Sequence, residues 1–239
     1  MSVLTPALRE QLQSISTATL ATALYKRGLR QQFIQRAAPL RRLERSMVGE
    51  AFTLRYIPAR EDLNPIEVFR DPNHAQRKAV ETCPAGAVLV IDSRGDARAA
   101  SAGAILATRL QERGVAGIVT DGGFRDADEI SQLRMPAFHQ RPSAPTNLTL
   151  HQAIDINVPI GCGDAPVFPG DVVVGDNDGA IVIPAHLVAE ITAEAVEMTA
   201  FEDFVIESVR EGKTIIGLYP ATAEQTKVDF AAWRKVKGR

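Results

Sequence analysis

The sequence is poor in cysteine and has no excess of charge of either sign. Its two cysteines, Cys83 and Cys162, lie far apart and outside any Cys-x-x-Cys spacing, so neither a disulfide framework nor a zinc knuckle is expected. The 27 basic and 29 acidic side chains give a formal net charge of -2. Nothing in this composition favours nucleic acid or an anionic membrane as a partner.

Long hydrophobic runs and the common nucleotide and hydrolase motifs are also missing. The longest apolar runs, such as residues 87–91, have the length of a strand and fall well short of the roughly 20 residues that cross a bilayer. The chain has no Walker loop, no G-x-G-x-x-G after its first strand and no G-x-S-x-G, so nucleotide binding and serine hydrolysis lack support. We therefore expect a cytoplasmic protein that binds no membrane and no nucleic acid.

Strand and helix patterns alternate in the middle of the chain, which predicts an α/β fold. Residues 48–57 and 87–92 carry strand patterns, and residues 115–120 form a further apolar run. Residues 101–114 have apolar side chains at helical spacing and end at a glycine. A strand, a helix and a second strand in this order favour parallel neighbours in one sheet.

Both ends of the chain predict helices, and no segment between them has the composition of a linker. We expect one domain spanning all 239 residues, with a helical N-terminal segment over about residues 1–45. Residues 171–183 predict a β-hairpin around an Asp-Gly turn. A long helix and a polar tail follow over about residues 186–239. Phe230 and Trp233 in the tail could pack on a neighbouring subunit, or the tail could stay loose.

The best candidate for a chemical site is the pair Arg125-Asp126, which follows the predicted strand 115–120 through a short loop. Loops at the carboxyl ends of strands are where open α/β sheets bind ligands. A guanidinium can stabilise an enolate or a carboxylate, and a carboxylate oxygen suits Mg²⁺ or Mn²⁺. The alternative is a loop ion pair, or a cap for the helix that follows.

A second element of the candidate site is the predicted helix start at Gly103, Ala104, Ile105 and Leu106. The first turn of a helix leaves backbone amides unpaired and carries partial positive charge, so a small carboxylate could bind there. The alternative is close helix packing, because Ala102 and the two residues after it are all small.

Two long motifs give the chain a resemblance to a known family. The first is G-x-I-L-A-T-x(5)-G-V-A-G-I-V-T-D-G-G-F-R-D, and the second is P-V-F-P-G-D-V-V-V-G-D-N-D-G-A-I-V-I-P. In these motifs the sequence resembles the RraA-like family, which includes the class II 4-hydroxy-4-methyl-2-oxoglutarate/4-carboxy-4-hydroxy-2-oxoadipate aldolases. The resemblance covers roughly residues 48–209.

The resemblance implies a swivelling β/β/α fold with a mixed sheet core and flanking helices. It also implies a homotrimer or homohexamer with active sites between subunits. Asp126 would hold a divalent metal, Mg²⁺ or Mn²⁺, partly through waters. The amides from Gly103 to Leu106 would bind the substrate carboxylate, and Arg125 would stabilise the pyruvate enolate.

One position departs from the family pattern. Relatives that catalyse the aldol step usually have an acid directly after the glycine of this helix, where it helps to move the proton of the substrate hydroxyl. Here that position is Ala104, whose methyl group can neither bind water nor accept a proton. Acidic help from a neighbouring subunit is expected from the long C-terminal helix, with Glu197 and Glu202 as candidates and Glu194 less favoured. A solvated helix face is the alternative for each of them.

The sequence therefore predicts a metal-dependent aldolase that cleaves a 4-hydroxy-2-oxo acid to pyruvate and a second carbonyl product. Oxaloacetate decarboxylation is expected as a side reaction, because both reactions pass through pyruvate enolate. The alternative is a non-catalytic regulator of the RraA type that binds a ribonuclease. Ala104 favours the regulator, whereas the presence of both Arg125 and Asp126 favours the enzyme.

Overall fold

A twelve-residue strand, β3 (Met47–Pro58), lies at the centre of the largest sheet. The computed structural model describes residues 2–238. In chain order the helices and strands are α1 (Pro6–Leu12), α2 (Thr17–Tyr25), β1 (Phe33–Ile34), β2 (Ala38–Pro39), β3 (Met47–Pro58), α3 (Ala75–Thr82), β4 (Val88–Asp92), β5 (Ala100–Ala102), α4 (Ala104–Glu112), β6 (Gly117–Thr120), β7 (Gly123–Phe124), α5 (Ala127–Ser131), β8 (Ala137–His139), β9 (Arg141–Pro142), β10 (His151–Ile156), β11 (Ile160–Cys162), β12 (Ala165–Val167), β13 (Val172–Gly175), β14 (Ala180–Ile183), α6 (Val188–Arg210) and α7 (Glu224–Lys237). Short 3₁₀ helices lie at Glu61–Leu63, Ile66–Arg70, Asn147–Thr149 and Ala185–Leu187.

The largest sheet is mixed and curled. Its strand order is β1-β14-β13-β3-β4-β6-β8-β2, and β10 also pairs with β3. β3, β4, β6 and β8 run parallel, as the strand-helix-strand pattern predicted. On its other edge β3 has two antiparallel partners, β13 near Met47 and β10 near Leu54. Because one long strand serves two partners along one edge, the sheet curls around the residues that it encloses.

A second, smaller sheet extends the parallel part of the first. The strands β5, β7 and β9 pair side by side in parallel, and they follow β4, β6 and β8 along the chain. Buried hydroxyl groups join the two sheets, with Ser93 Oγ 2.6 Å from Ser101 Oγ and Thr120 Oγ1 2.8 Å from Ser101 Oγ. Each of β4, β6 and β8 is therefore followed by a strand of the small sheet, and the ends of β5 and β7 lie side by side.

The helices cover one face of the large sheet in two groups, because the even-numbered residues of β3 face both of them. One core cluster joins three helices to the β13-β14 hairpin. It contains Leu12 of α1, Leu24 of α2 and Ile191 of α6. Further along the same face, α3 and α4 pack Val80 and Leu110 against β4 and β6. The opposite face of the sheet is lined by a third core cluster. Burying each large aliphatic side chain stabilises the fold by roughly 1.5–3 kcal/mol. The α3 and α4 cluster also contains Ala102 and Phe124, so it packs against the small sheet as well.

Several sequence predictions are confirmed by these elements. The predicted strands 48–57, 87–92 and 115–120 correspond to β3, β4 and β6, and the predicted hairpin is β13-β14 with Val174 opposite Ile181. The long C-terminal helix is α6. Within residues 2–238, no helix combines the length and the apolar character that a membrane span requires.

The helical prediction for the first 45 residues is wrong beyond Tyr25. After a turn at Gly28 the chain forms two short edge strands instead of a further helix. β1 pairs with β14 through Phe33 and Ile181, and β2 pairs with β8 through Ala38 and His139. These strands exist because distant strands offer open edges, which is information that local helix propensity does not contain.

The tail is neither loose nor without structure, since residues Glu224–Lys237 form helix α7. The rings of Phe230 and Trp233 lie 5.5 and 6.0 Å from the ring of Phe204 on α6, and Trp233 Nε1 donates a hydrogen bond to Glu207 Oε2 at 2.8 Å. The two aromatic residues are packing anchors, as expected, but they pack against their own chain.

Candidate active site

The candidate site lies where β5 and β7 end side by side. β5 leads directly into α4, and β7 leads into Arg125 and Asp126. The Arg125 N–H donates to the carbonyl oxygen of Ala102 at 3.1 Å, which holds the two chain segments together at this point. The structure thus brings the predicted helix start and the predicted Arg-Asp pair into one place.

Gly103 precedes the first turn of α4, and its lack of a side chain allows the close approach of the pair. Its backbone is extended, with φ -134° and ψ -179°, so its conformation does not require glycine. A Cβ atom on Gly103 would lie 2.7 Å from Arg125 Cγ and 2.8 Å from Asp126 Oδ2. Since real Cβ atoms do not approach so closely, any larger residue would displace both functional side chains.

Asp126 points at the start of α4 and not at the helix that follows it. Its backbone is left-handed, with φ 55° and ψ 44°, and its side chain makes no capping bond to α5. Instead, the Ala104 N–H donates to Asp126 Oδ2 at 3.2 Å, and Asp126 Oδ1 lies 3.6 Å from Arg125 Nε. The carboxylate is 40% exposed, so it is open to a further ligand. The interpretation of Asp126 as a cap for α5 is therefore wrong.

The first turn of α4 is open to solvent on the side of the pair. Ile105 is 82% exposed. The small residues beside it are closely packed, since Ala102 is 5% exposed and Ala104 packs against the core, so the close-packing alternative also holds at this turn. The Ala104 N–H is used by Asp126, whereas the Ile105 N–H has no acceptor among residues 2–238. An unpaired amide at a helix N-terminus is a favourable position for a carboxylate oxygen.

These groups line a cleft of about 190 Å³, which suits a small ligand better than a drug-sized one. Gly103, Arg125 and Asp126 form one side of it, which we call the motif side. The sequence analysis missed the residues that complete the lining from other segments, and these are Phe69, Gln76, Arg77, Thr146 and Asn147. They belong to no motif, so their contribution depends on the fold.

The donor set of the cleft fits a hard divalent cation that keeps much of its own water shell. Asp126 contributes a carboxylate, and no group of three or more His, Cys, Asp or Glu side chains within residues 2–238 is placed to enclose a metal. Mg²⁺ is often held by one or two carboxylates together with waters and substrate oxygens. Asp126 suits that mode, whereas a closed protein cage of the zinc type does not fit.

The acidic candidates on α6 lie outside the cleft within one chain. Glu197 pairs with Arg234 at 2.5 Å, and Glu202 Oε2 accepts a hydrogen bond from Thr19 Oγ1 at 2.7 Å. Glu194 accepts from Lys26 and Arg27, which lower the pKa of its carboxyl group. A role for Glu197 or Glu202 at the cleft of a neighbouring subunit stays a prediction.

The fold is that of the RraA-like proteins. Streptomyces coelicolor RraAS2, described as an unusual member of the RNase ES inhibitor RraA protein family, aligns with a TM-score of 0.75 and 29% identity, over 84% of this chain and 96% of that one. An uncharacterised protein from Pseudomonas syringae pv. tomato str. DC3000 aligns with a TM-score of 0.76 over 90% of this chain and 98% of that one. Its 24% identity supports the shared fold alone.

The sequence itself places the chain in a family. Residues 17–182 match the profile of the RraA-like family, Aldolase/RraA, and the chain belongs to this family. A Halalkalibacterium halodurans protein, provisionally named 4-hydroxy-4-methyl-2-oxoglutarate aldolase, is 38% identical over 119 residues. That match covers 50% of this chain and 56% of the relative, so the chain spans about half the length of that relative.

Proposed function

We propose that this protein is a divalent-metal-dependent lyase that cleaves a 4-hydroxy-2-oxo acid to pyruvate and a second carbonyl product. The observation that carries the proposal is the motif side of the cleft, where a guanidinium, an exposed carboxylate and an unpaired helix amide converge. The provisional name of the Halalkalibacterium relative supports the same class of reaction.

Asp126 would hold Mg²⁺ or Mn²⁺ in this proposal. When bound, the cation would supply positive charge for the oxygens of the 2-oxo acid. The Ile105 amide at the start of α4 binds the substrate carboxylate, which sets the keto oxygen beside Arg125. Arg125 then donates hydrogen bonds to that oxygen as negative charge develops on it.

The reaction breaks the bond between C3 and C4 of the substrate. The electron pair of that bond passes into the enolate of pyruvate, the 4-hydroxyl group loses its proton, and C4 becomes the carbonyl carbon of the second product. The enolate then takes up a proton at C3 to give pyruvate. Among the lining residues of the described chain, the one carboxylate is Asp126, so the hydroxyl proton has no free base there.

Ala104 should make the removal of the hydroxyl proton slow. General acid–base assistance contributes about 10²–10⁴-fold to a rate, and the methyl group of Ala104 contributes none. Decarboxylation of oxaloacetate forms the same enolate by loss of CO2, and it has no hydroxyl proton to remove. We therefore expect oxaloacetate decarboxylation to suffer less from Ala104 than the aldol cleavage does.

A coupled pyruvate assay with Mg²⁺, with Mn²⁺ and with a chelator tests the proposal. The wild-type protein should release pyruvate slowly from a panel of 4-hydroxy-2-oxo acids, and the chelator should abolish the release. Ala104→Asp should raise the aldol rate about 10²-fold while changing oxaloacetate decarboxylation by less than about threefold. The absence of metal-dependent pyruvate release from every substrate, in both proteins, would refute the lyase.

We also propose that the active protein is a homotrimer or homohexamer with its clefts at subunit contacts. The 82% exposure of Ile105 at the cleft supports this arrangement, because a partner subunit would bury that side chain. Light scattering on the purified protein measures the mass directly. A monomer at assay concentrations that still turns over substrate would refute a cleft shared between subunits.

A second candidate function is a non-catalytic regulator that binds a ribonuclease. The structural similarity to RraAS2, together with the alanine at position 104, favours this candidate. A pull-down of a ribonuclease with the wild-type protein and with Arg125→Ala separates the two functions. A regulator should retain its partner in both proteins, whereas the lyase should lose its activity in the variant and bind no ribonuclease in either.

A further inference from the structure

The side chain of Gln76 is anchored in the lining of the cleft, and the proposed reaction gives it no role. Gln76 is the second residue of α3 and is 3% exposed. Its Nε2 donates to the carbonyl oxygen of Ser101 at 2.8 Å and to Tyr56 Oη at 3.0 Å. Ser101 belongs to β5 and lies two residues before Gly103, so these bonds attach the amide of Gln76 to the motif side of the cleft.

The same two bonds decide which way the Gln76 amide is turned. A backbone carbonyl oxygen accepts and cannot donate, so the group that meets Ser101 is the NH₂ of the amide. Tyr56 Oη donates its own hydrogen to this carbonyl oxygen at 2.8 Å, and burial raises the pKa of Tyr56, which keeps that hydrogen in place. Both hydrogens of Nε2 are therefore used, and Oε1 is the atom left for another partner.

Gln76 Oε1 is an acceptor without a donor. No N–H or O–H group within residues 2–238 donates to it. The buried side-chain atoms that lack a partner in the described chain do not include Oε1, so this oxygen is open to the cleft that Gln76 lines. The other carboxylate and amide side chains of the lining already meet donors, since Asp126 Oδ2 accepts from Ala104 N and Asn147 Oδ1 accepts from Thr146 Oγ1.

The proposed substrate carries one donor that fits this acceptor. The carboxylate and keto oxygens of a 4-hydroxy-2-oxo acid only accept hydrogen bonds, whereas its 4-hydroxyl group can donate one. The motif side already accounts for the carboxylate and the keto oxygen. The hydroxyl group is left without a partner there, and a neutral amide oxygen held in one orientation suits a neutral O–H group.

We propose that Gln76 Oε1 accepts a hydrogen bond from the 4-hydroxyl group of the substrate. Gln76 then selects hydroxylated acids and orients the hydroxyl group for cleavage of the bond between C3 and C4. This assignment rests on the proposed lyase function for the identity of the substrate. Because an amide oxygen is not basic enough to take the hydroxyl proton, Gln76 does not replace the acid that is missing at Ala104.

A comparison of two reactions separates this role from a structural one. Gln76→Met keeps the length of the side chain but has no oxygen. It should lower kcat/KM for the cleavage of 4-hydroxy-2-oxopentanoate about tenfold, because the hydroxyl group loses its acceptor. Oxaloacetate has no 4-hydroxyl group, so its decarboxylation should change by less than about twofold. A substitution that merely loosened the cleft would slow both reactions.

Equilibrium binding of two non-reacting ligands tests the assignment without requiring turnover. The ligands are 2,4-dihydroxypentanoate and 2-hydroxypentanoate, which lack the keto group that cleavage needs and differ only in the 4-hydroxyl group. In the presence of Mg²⁺, calorimetry should show about fivefold tighter binding of the dihydroxy acid to the wild-type protein. Gln76→Met should reduce that ratio of Kd values to below about twofold.

Two further variants distinguish the acceptor from its packing. Gln111→Met is the matched control, because Gln111 lies outside the cleft lining and its Oε1 accepts from Arg134 N at 2.7 Å. It loses a structural hydrogen bond but should keep both the ratio and the aldol rate. Gln76→Glu retains an acceptor oxygen, and its protonated form can still donate to the Ser101 carbonyl, so it should keep the ratio. Thermal unfolding of each variant checks that it is folded.

The outcomes separate this assignment from the lyase proposal. Equal affinity of the wild-type protein for the two ligands, or no measurable binding of either, would overturn the hydroxyl site. A ratio that survives Gln76→Met, or that is lost equally in Gln76→Glu, would overturn the role of Oε1. Absence of pyruvate release with an intact, Gln76-dependent ratio would refute the lyase and leave the hydroxyl site standing.

Discussion

The two sides of the cleft are built in different ways. The motif side comes from one continuous stretch of chain, and its groups are held by the bonds from Arg125 N to Ala102 O and from Ala104 N to Asp126 Oδ2. The other side comes from separate segments, which contribute Phe69, Arg77 and Asn147. In the proposed function the bond-breaking chemistry belongs to the motif side, whose groups are the ones held by contacts within one stretch of chain.

The largest effect is expected at Arg125, on the motif side. Arg125→Ala removes the donor beside the developing enolate, and it should lower kcat for pyruvate release about 10²–10³-fold. Steady-state kinetics of pyruvate release test this statement.

Arg109→Ala is the matched control for Arg125→Ala. Both guanidinium side chains are 49% exposed, but Arg109 pairs with Glu81 outside the cleft. The control should retain kcat. If Arg125→Ala kept kcat as Arg109→Ala does, the proposed role of Arg125 beside the enolate would be wrong.

A smaller effect is expected from His139, which supports the motif side. Its ring stacks on Phe124, the residue before Arg125, with the ring centroids 5.6 Å apart. Burial lowers the pKa of His139 to about 4 from an ordinary value of 6.5. Because the folded state resists protonation, stability from this group is present above pH 6.5 and is lost as pH falls through 6.5 towards 4. At pH 5 the loss is about 2 kcal/mol in the free energy of unfolding.

Urea unfolding at pH 7 and pH 5 measures this contribution. His139→Phe keeps an aromatic ring against Phe124 but cannot be protonated, so it should lose less stability between the two pH values than the wild type by about 2 kcal/mol. The subtraction cancels other titrating groups. His186→Phe, at an exposed position, should behave as the wild type does. An equal loss in the wild type and His139→Phe would contradict the burial argument.

The smallest effect is expected at Gly103. Gly103→Ala places a Cβ against Arg125 Cγ and Asp126 Oδ2, so both side chains must shift from the start of α4. We expect kcat/KM for pyruvate release to fall about tenfold, since catalytic geometry tolerates little displacement. Gly161→Ala is the control, because a Cβ there meets no atom within 4 Å. Unchanged kinetics in Gly103→Ala would show that the motif side is less tightly fitted than its contacts indicate.

The predictable part of the fold consists of long, strongly patterned elements. β3, β4, β6, the β13-β14 hairpin and α6 have enough consecutive apolar or alternating residues for their type to be assigned locally. The edge strands β1 and β2 and the small-sheet strands have two or three residues each, which is too short for a pattern. Their structure depends on which open edge the tertiary fold presents to them.

The same distinction applies to the site. One motif contains Gly103, Arg125 and Asp126. They were expected to lie close together because the helix start at Gly103 and the loop after the strand 115–120 should be neighbours in the sheet. Arg77 and Asn147 carry no local signal, because an arginine in a helix and an asparagine in a loop are usually solvated surface residues. In the structure, Arg77 stacks on the Phe69 ring and the buried Nδ2 of Asn147 has no hydrogen-bond acceptor. Neither feature can be read from the sequence.

The amino-acid sequence by itself determined the family, the parallel strand-helix-strand core and the residue types of the motif side, including the alanine at position 104. These features follow from local patterns, which act over a few turns of helix or one strand. Only the tertiary structure decided that Arg77 and Asn147 share a cleft with Arg125. Their convergence depends on the packing of α3 and the Asn147–Thr149 turn around the small sheet, and contacts between residues so far apart in the chain leave no local trace.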